Sequence, residues 1–157
     1  MVLWQLKGIK QDVLDQYAKR YYEDVVKNNL IQPVINEMLR LKNEGWLIVI
    51  ASGGYESYLK YFCKEYSIPL KYLISVRIKF KKGICQGVFD GGDRLWDKPE
   101  KMSLLFNRGS IESIAFSDSV SDLPLLQWAN HGVIVRRNDK EQWSNNYDFK
   151  EIVWYKD

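Results

Sequence analysis

Short apolar runs separated by segments of helical period constrain this chain more than any other feature of its sequence. Trp46-Leu-Ile-Val-Ile-Ala51 is apolar throughout and β-branched at its centre. A run of this kind offers no polar face to water, which predicts a strand of a parallel sheet with helices covering both sides. Ile111 to Phe116 and Gly132-Val-Ile-Val135 read as two more inner strands, and Tyr72 to Val76 as a fourth, with an edge strand expected at Glu151 to Trp154. Strands that alternate with helices specify a doubly wound α/β fold.

The helices are carried by periodicity and punctuation. Val13, Leu14, Tyr17, Tyr21, Val25 and Val26 recur at three- and four-residue steps between Lys10 and Asn29, marking one face of an amphipathic helix. A second helix opens at Pro33, carries Val34, Ile35, Met38, Leu39 and Leu41, and stops at Gly45. A third places Tyr58, Leu59, Phe62 and Tyr66 at helical spacing. Pro99 opens a fourth, and Leu123 to Trp128 form a short fifth. Arg77-Ile-Lys-Phe-Lys81 alternates basic and apolar residues, Lys82-Gly83 can turn, and Ile84 to Phe89 returns, which predicts a β-hairpin.

Composition removes several classes of function. The 157 residues are 46% hydrophobic and 27% charged, as in globular chains, and 23 Lys and Arg against 20 Asp and Glu leave a net charge of +3. So small an excess does not specify nucleic-acid or membrane binding, and Arg77, Lys79, Lys81 and Lys82 read as the wet side of the hairpin. No run approaches the roughly 18 apolar residues of a membrane span, and the N-terminus lacks the pattern of a signal peptide. Cys63 and Cys85 fit neither a disulfide framework nor a paired-cysteine zinc site. A cytoplasmic location is expected. His131 reads as a turn residue rather than a base, and Asp90-Gly-Gly-Asp93 as a loop turn.

In open α/β sheets ligands bind beyond the carboxyl ends of the strands. Ser52-Gly53-Gly54 follow the first apolar run, where a serine hydroxyl and glycine amides at a helix start suit an anion, or simply cap the helix. Ser117-Asp118-Ser-Val-Ser-Asp122 follow the run at Ile111 to Phe116 and set two carboxylates four residues apart. Paired hard oxygens suit Mg²⁺, although both aspartates could instead cap the turn and the short helix. Lys98-Pro-Glu-Lys101 between them can supply a cation to a phosphate.

Taken in order, Ile-Val-Ile-Ala-Ser52-Gly-Gly, a lysine at a helix start and Ala-Phe-Ser-Asp118-Ser-Val-Ser-Asp122-Leu-Pro-Leu-Leu resemble the haloacid dehalogenase superfamily, in its phosphoserine-phosphatase-like branch, over about residues 9 to 135. The resemblance implies a Rossmann-like core and Mg²⁺-dependent hydrolysis of a small phosphorylated metabolite. It implies that Ser52, with Gly53 and Gly54, binds the phosphoryl group, that Lys101 offsets its charge, and that Asp118 and Asp122 hold the metal. Lys101 is preferred to Lys98 because the family lysine is followed four residues on by an apolar residue, here Leu105. Ser117 stands where the family usually has glycine.

The family's opening Asp-x-Asp-x-Thr motif, source of the nucleophile and the general acid/base, is absent from this sequence. On the resemblance, residues 1–32 are the remainder of a helical cap and residues 33–157 an α/β core without its first strand. Such a chain is expected to lack turnover alone and to self-associate through the sheet edge left open. The alternative is a non-catalytic module that binds phosphate or a partner protein.

Overall fold

The structure, a computed structural model, describes residues 3–91, 97–137 and 143–154. In chain order the elements are α1 (Gln11–Tyr21), α2 (Gln32–Asn43), β1 (Ile50–Tyr55), α3 (Glu56–Glu65), β2 (Leu73–Val76), β3 (Ile78–Lys81), β4 (Ile84–Phe89), α4 (Lys98–Leu105), β5 (Ile114–Ser117), α5 (Leu123–Trp128), β6 (His131–Arg136) and β7 (Lys150–Val153). The alternation of strand and helix is the α/β pattern that the sequence specifies. Two compact units share these elements, one of Met1–Leu30 with Leu47–Leu95, the other of Ile31–Trp46 with Trp96–Asp157. No helix among the described residues is long and apolar enough to cross a membrane.

In the first unit β1 and β2 pair in parallel, with Ile50 opposite Leu73, Ala51 opposite Ile74, and Tyr55 opposite Val76. Three residues, Ser52, Gly53 and Gly54, therefore stand opposite Ser75 alone. The expected strand at residues 46–51 thus begins later, at Ile50, and carries the glycines inside it as a bulge rather than beyond its end. The apolar run is not enclosed either, for Leu47 is half exposed. Among the described residues β1 has β2 as its one strand neighbour, and a run can be covered only where something packs against it. β3 and β4 form the expected hairpin, closed by Lys82 and Gly83, both with positive φ. The chain ahead of α1 lies along β4, where Gly8 N–H donates to Cys85 O and Cys85 N–H to Ile9 O.

Helix α1 buries no residue of its own, and its continuation as a π-helical turn at Tyr22–Val26 brings Tyr22 fully inside. The Tyr22 ring stacks on Tyr61 and its hydroxyl donates to Glu65 Oε2 at 2.9 Å, an oxygen that Lys27 Nζ also meets at 3.0 Å. Farther up, Lys60 pairs with Asp15 at 2.6 Å, a second tie between α1 and α3. Leu59, Phe62 and Cys63 of α3 pack with Ile68, Leu73, Ile74 and Val76 in the core of this unit. Burial, reinforced by the bond to Glu65, pushes the Tyr22 phenol far above its ordinary value.

In the second unit β5, β6 and β7 form a parallel sheet in that order, Ser117 facing Ile134 and Ile134 facing Glu151. The expected strand at 111–116 is shifted to Ile114–Ser117, and β7 lies one residue earlier than expected. Val133, Ile134 and Val135 of β6 are buried with Leu125, Leu126 and Trp128 of α5 and with Ile35 and Leu41 of α2. Each such side chain contributes about 1.5–3 kcal/mol of burial. The Trp128 indole donates to Ser103 Oγ at 3.0 Å. As with β1, β5 has one strand neighbour among the described residues.

Removing the Tyr22 hydroxyl tests the tie between α1 and α3. Tyr22→Phe keeps the ring and deletes one hydrogen bond to a carboxylate, and should cost about 1–2 kcal/mol in chemical denaturation. Lys27 holds the Glu65 carboxyl below its ordinary value of 4.5. A depressed carboxyl adds stability that is complete above that value and is lost as pH falls through the lower folded-state pKa. Glu65→Gln should therefore flatten the acid limb of the stability profile below pH 4.5, and an unchanged limb contradicts this assignment.

Candidate active site

The sequence-derived candidates fall into two sets, one in each unit. Ser52, Gly53 and Gly54 occupy the bulge of β1, directly ahead of α3. Ser52 Oγ accepts the Gly54 N–H at 3.1 Å, so the serine turns back on its own loop and leaves its hydroxyl hydrogen available. The two glycines differ in what they do. A Cβ on Gly54 would collide with the Tyr58 hydroxyl and crowd Leu59, while one on Gly53 would meet nothing. Gly54 is glycine because an aromatic side chain lies against its backbone. Gly53 is exposed, with open space where a side chain would stand.

Tyr58, which the sequence marked only as a core position, closes over this bulge. Its ring meets that of Tyr21 edge-on at 5.1 Å, and burial pushes its phenol above the ordinary range. The bulge is thereby walled on one side by aromatic side chains.

The second set gathers at the carboxyl end of β5. Lys98, the first residue of α4, is buried, and its ammonium reaches Asp122 Oδ1 at 2.5 Å with side chains only 11% and 17% exposed. The other oxygen of Asp122 accepts the Ser117 hydroxyl at 2.7 Å, and Ser117 Oγ in turn accepts the Ser119 N–H at 3.2 Å. Asp122 precedes α5 but makes no capping bond to it, which removes the plain capping explanation for this residue. The turn is capped instead by Ser119, whose hydroxyl accepts the Ser121 N–H. Asp118 is half-buried and pairs with Arg137, Nε to Oδ2 at 2.6 Å.

The two lysines separate clearly. Lys98 is the one buried residue of α4, whereas Lys101 is half-buried one turn on, its backbone amide bonded to Asp97 O at 3.2 Å. Leu105, the apolar residue four positions beyond Lys101, is 43% exposed and so faces no core. The spacing that favoured Lys101 does not correspond to packing here. His131 is exposed beside Glu112 at 3.5 Å. Asp90 is exposed in the turn after the hairpin, its amide donating to Arg77 O, while Asp93 lies outside the described residues. Ser117 and Arg137 were not singled out for a role by sequence, because a serine in a serine-rich turn and an arginine after a strand carry no spacing signal.

The donor set at the end of β5 is hard oxygen throughout. Mg²⁺ takes one or two carboxylates and completes its shell with water and substrate phosphate, so these residues fit it. No group of three or more His, Cys, Asp or Glu side chains clusters among the described residues. Asp122 is engaged at both oxygens by Lys98 and Ser117, whereas Asp118 is held only at Oδ2, by the more exposed Arg137.

The second unit thus ends a parallel strand, β5, in an acidic turn beside a lysine from the start of the preceding helix, α4. The model of the haloacid dehalogenase-like hydrolases matches residues 1–127, and the chain belongs to that family. Solved structures share the fold. A protein of unknown function from Bordetella pertussis Tohama I superposes with a TM-score of 0.78 at 16% identity, over 96% of this chain and 70% of that one. A phosphoserine phosphohydrolase-like protein from Francisella tularensis subsp. tularensis SCHU S4 gives 0.68 at 21%, over 87% and 65%. A probable phosphoserine phosphatase from Vibrio cholerae gives 0.71 at 20%, over 96% of this chain and 44% of that one. The chain therefore spans between two fifths and seven tenths of the length of these three structures. No curated protein gives a significant match.

The contrast between the glycines is measurable. Gly54→Ala must displace Tyr58 and should cost about 1–3 kcal/mol, the usual range for overpacking, whereas Gly53→Ala should cost less than about 1 kcal/mol. Equal losses in chemical denaturation would show that Tyr58 does not close over the bulge.

Proposed function

We propose that this chain carries the phosphate- and metal-binding machinery of a Mg²⁺-dependent phosphomonoesterase that acts on a small phosphorylated metabolite in the cytoplasm. The observation that carries this reading is the buried Lys98–Asp122 pair at the end of β5, with Asp118 beside it. A cation held at low exposure by a carboxylate suits a site where phosphoryl charge must be offset. Ser52 and the exposed Gly53 bind a phosphoryl oxygen, with Gly54 shaping the bulge. Lys98, rather than Lys101, offsets the charge of the phosphoryl group. Asp118 is the carboxylate for Mg²⁺, and Asp122 holds Lys98 in place and stands behind it. The metal, when bound, supplies charge neutralisation on the phosphoryl oxygens.

Hydrolysis through this machinery also needs a carboxylate in line with phosphorus, and none of the residues above can attack. No Asp-x-Asp-x-Thr motif occurs in the 157 residues. We therefore assign them the binding half of the reaction and expect no turnover from them alone. A second reading, a non-catalytic module that binds phosphate or a partner, draws on β1 and β5, each with one strand neighbour among the described residues, whose other edges can pair with a second copy of the chain.

A phosphate-release assay on phosphoserine, sugar phosphates and an aryl phosphate separates these readings. The chain alone should give background rates, and a fused or added segment bearing the Asp-x-Asp motif should create Mg²⁺-dependent release. That release should fall at least about 100-fold with Asp118→Asn or Lys98→Ala and change little with Lys101→Ala. Turnover by the chain alone, abolished by Ser52→Ala, would refute the assignment. Complementation that fails while light scattering reports concentration-dependent association would favour the non-catalytic module.

A further inference from the structure

The parallel register of β5 and β6 sets their carboxyl ends side by side, with Asp118 one residue beyond the first and Arg137 one residue beyond the second. Two consecutive arginines leave β6 for different partners. Arg136 donates to Ser144, Asn145 and Glu151 and so ties β6 to β7 and to the turn at Trp143–Asn146. Arg137 serves no such purpose in the sheet, and its Nε lies 2.6 Å from Asp118 Oδ2.

We propose that Arg137 is the exchangeable counter-ion of Asp118 and sets how readily this carboxylate takes a divalent cation. This rests on the reading of Asp118 as the metal carboxylate. The end of β5 holds two carboxylates, Asp118 and Asp122, and two cations, Lys98 and Arg137, so the four charges sum to zero. The two pairs are not equivalent. Lys98 is 11% exposed and cannot leave Asp122 without stranding a buried charge. Arg137 is 47% exposed, and its guanidinium can withdraw into water at little cost. A dication on Asp118 would stand beside the guanidinium, and like charges in contact repel, so binding requires Arg137 to release the carboxylate. Exchange is therefore confined to Asp118, and the metal affinity of the site carries the cost of breaking one exposed ion pair.

The test is calorimetric titration of Mg²⁺ alone into the full chain, its Arg137→Gln, Arg137→Lys and Asp118→Asn variants, each checked for folding by circular dichroism. Arg137→Gln should bind Mg²⁺ roughly two- to fivefold more tightly than the unaltered chain, the span expected for loss of an exposed ion pair. Arg137→Lys keeps the charge and should stay closer to the unaltered chain, and Asp118→Asn should abolish binding. If Arg137→Gln binds no more tightly while Asp118→Asn still abolishes binding, the counter-ion role is overturned and the metal reading stands. If Asp118→Asn binds as well as the unaltered chain, or neither it nor Arg137→Gln nor the unaltered chain binds at all, the metal reading falls and takes this proposal with it.

Discussion

Two opposite charges taken nearly out of water, Lys98 and Asp122, organise the second unit of this protein. The desolvation of such a pair costs several kcal/mol per ion, and attraction between the partners recovers that only when the remaining hydrogen-bonding capacity is also satisfied. Ser117 meets this condition by donating to the second oxygen of Asp122. The result is a carboxylate fixed at both oxygens and an ammonium fixed at one end of α4. Stability alone does not account for the arrangement, since apolar residues of similar volume fill such a space at least as well. Its product is position, a cation held at the carboxyl end of a parallel strand.

Within each unit, the candidate residues likewise divide into held and less constrained groups. Asp118 sits four residues before Asp122 in sequence yet keeps an exposed partner, and Ser52 bonds inward through an acceptor while its hydrogen stays available. In the bulge, Gly54 is spent on packing against Tyr58, and Gly53 leaves its backbone bare. Each pair thus contains one residue that fixes geometry and one that is less constrained.

Much of this was legible in the sequence, for reasons that can be stated residue by residue. Helical periodicity located the helices because buried side chains such as Leu59, Phe62 and Cys63 repeat along one face. Strand starts were less legible. The run at Trp46 to Ala51 is as apolar as an enclosed strand, but apolarity records what could be covered, and β1 has a strand on one side only among the described residues. The acidic turn is visible as spacing, whereas which of Lys98 and Lys101 meets Asp122 depends on which side of a short helix faces it, and local pattern does not encode that. Ser117 was visible only as a departure from glycine, and its role depends on an oxygen five residues away.

The central claim is that Lys98 and Asp122 act as one unit, and a double-mutant cycle on folding stability measures that directly. Lys98→Met and Asp122→Asn should each destabilise the chain by about 3–5 kcal/mol, since each leaves a buried charge unpaired. The double variant should be no worse than either single one, giving a coupling of at least about 2 kcal/mol. Additive losses, with a coupling below about 0.5 kcal/mol, would show that the two side chains stand near each other without depending on each other.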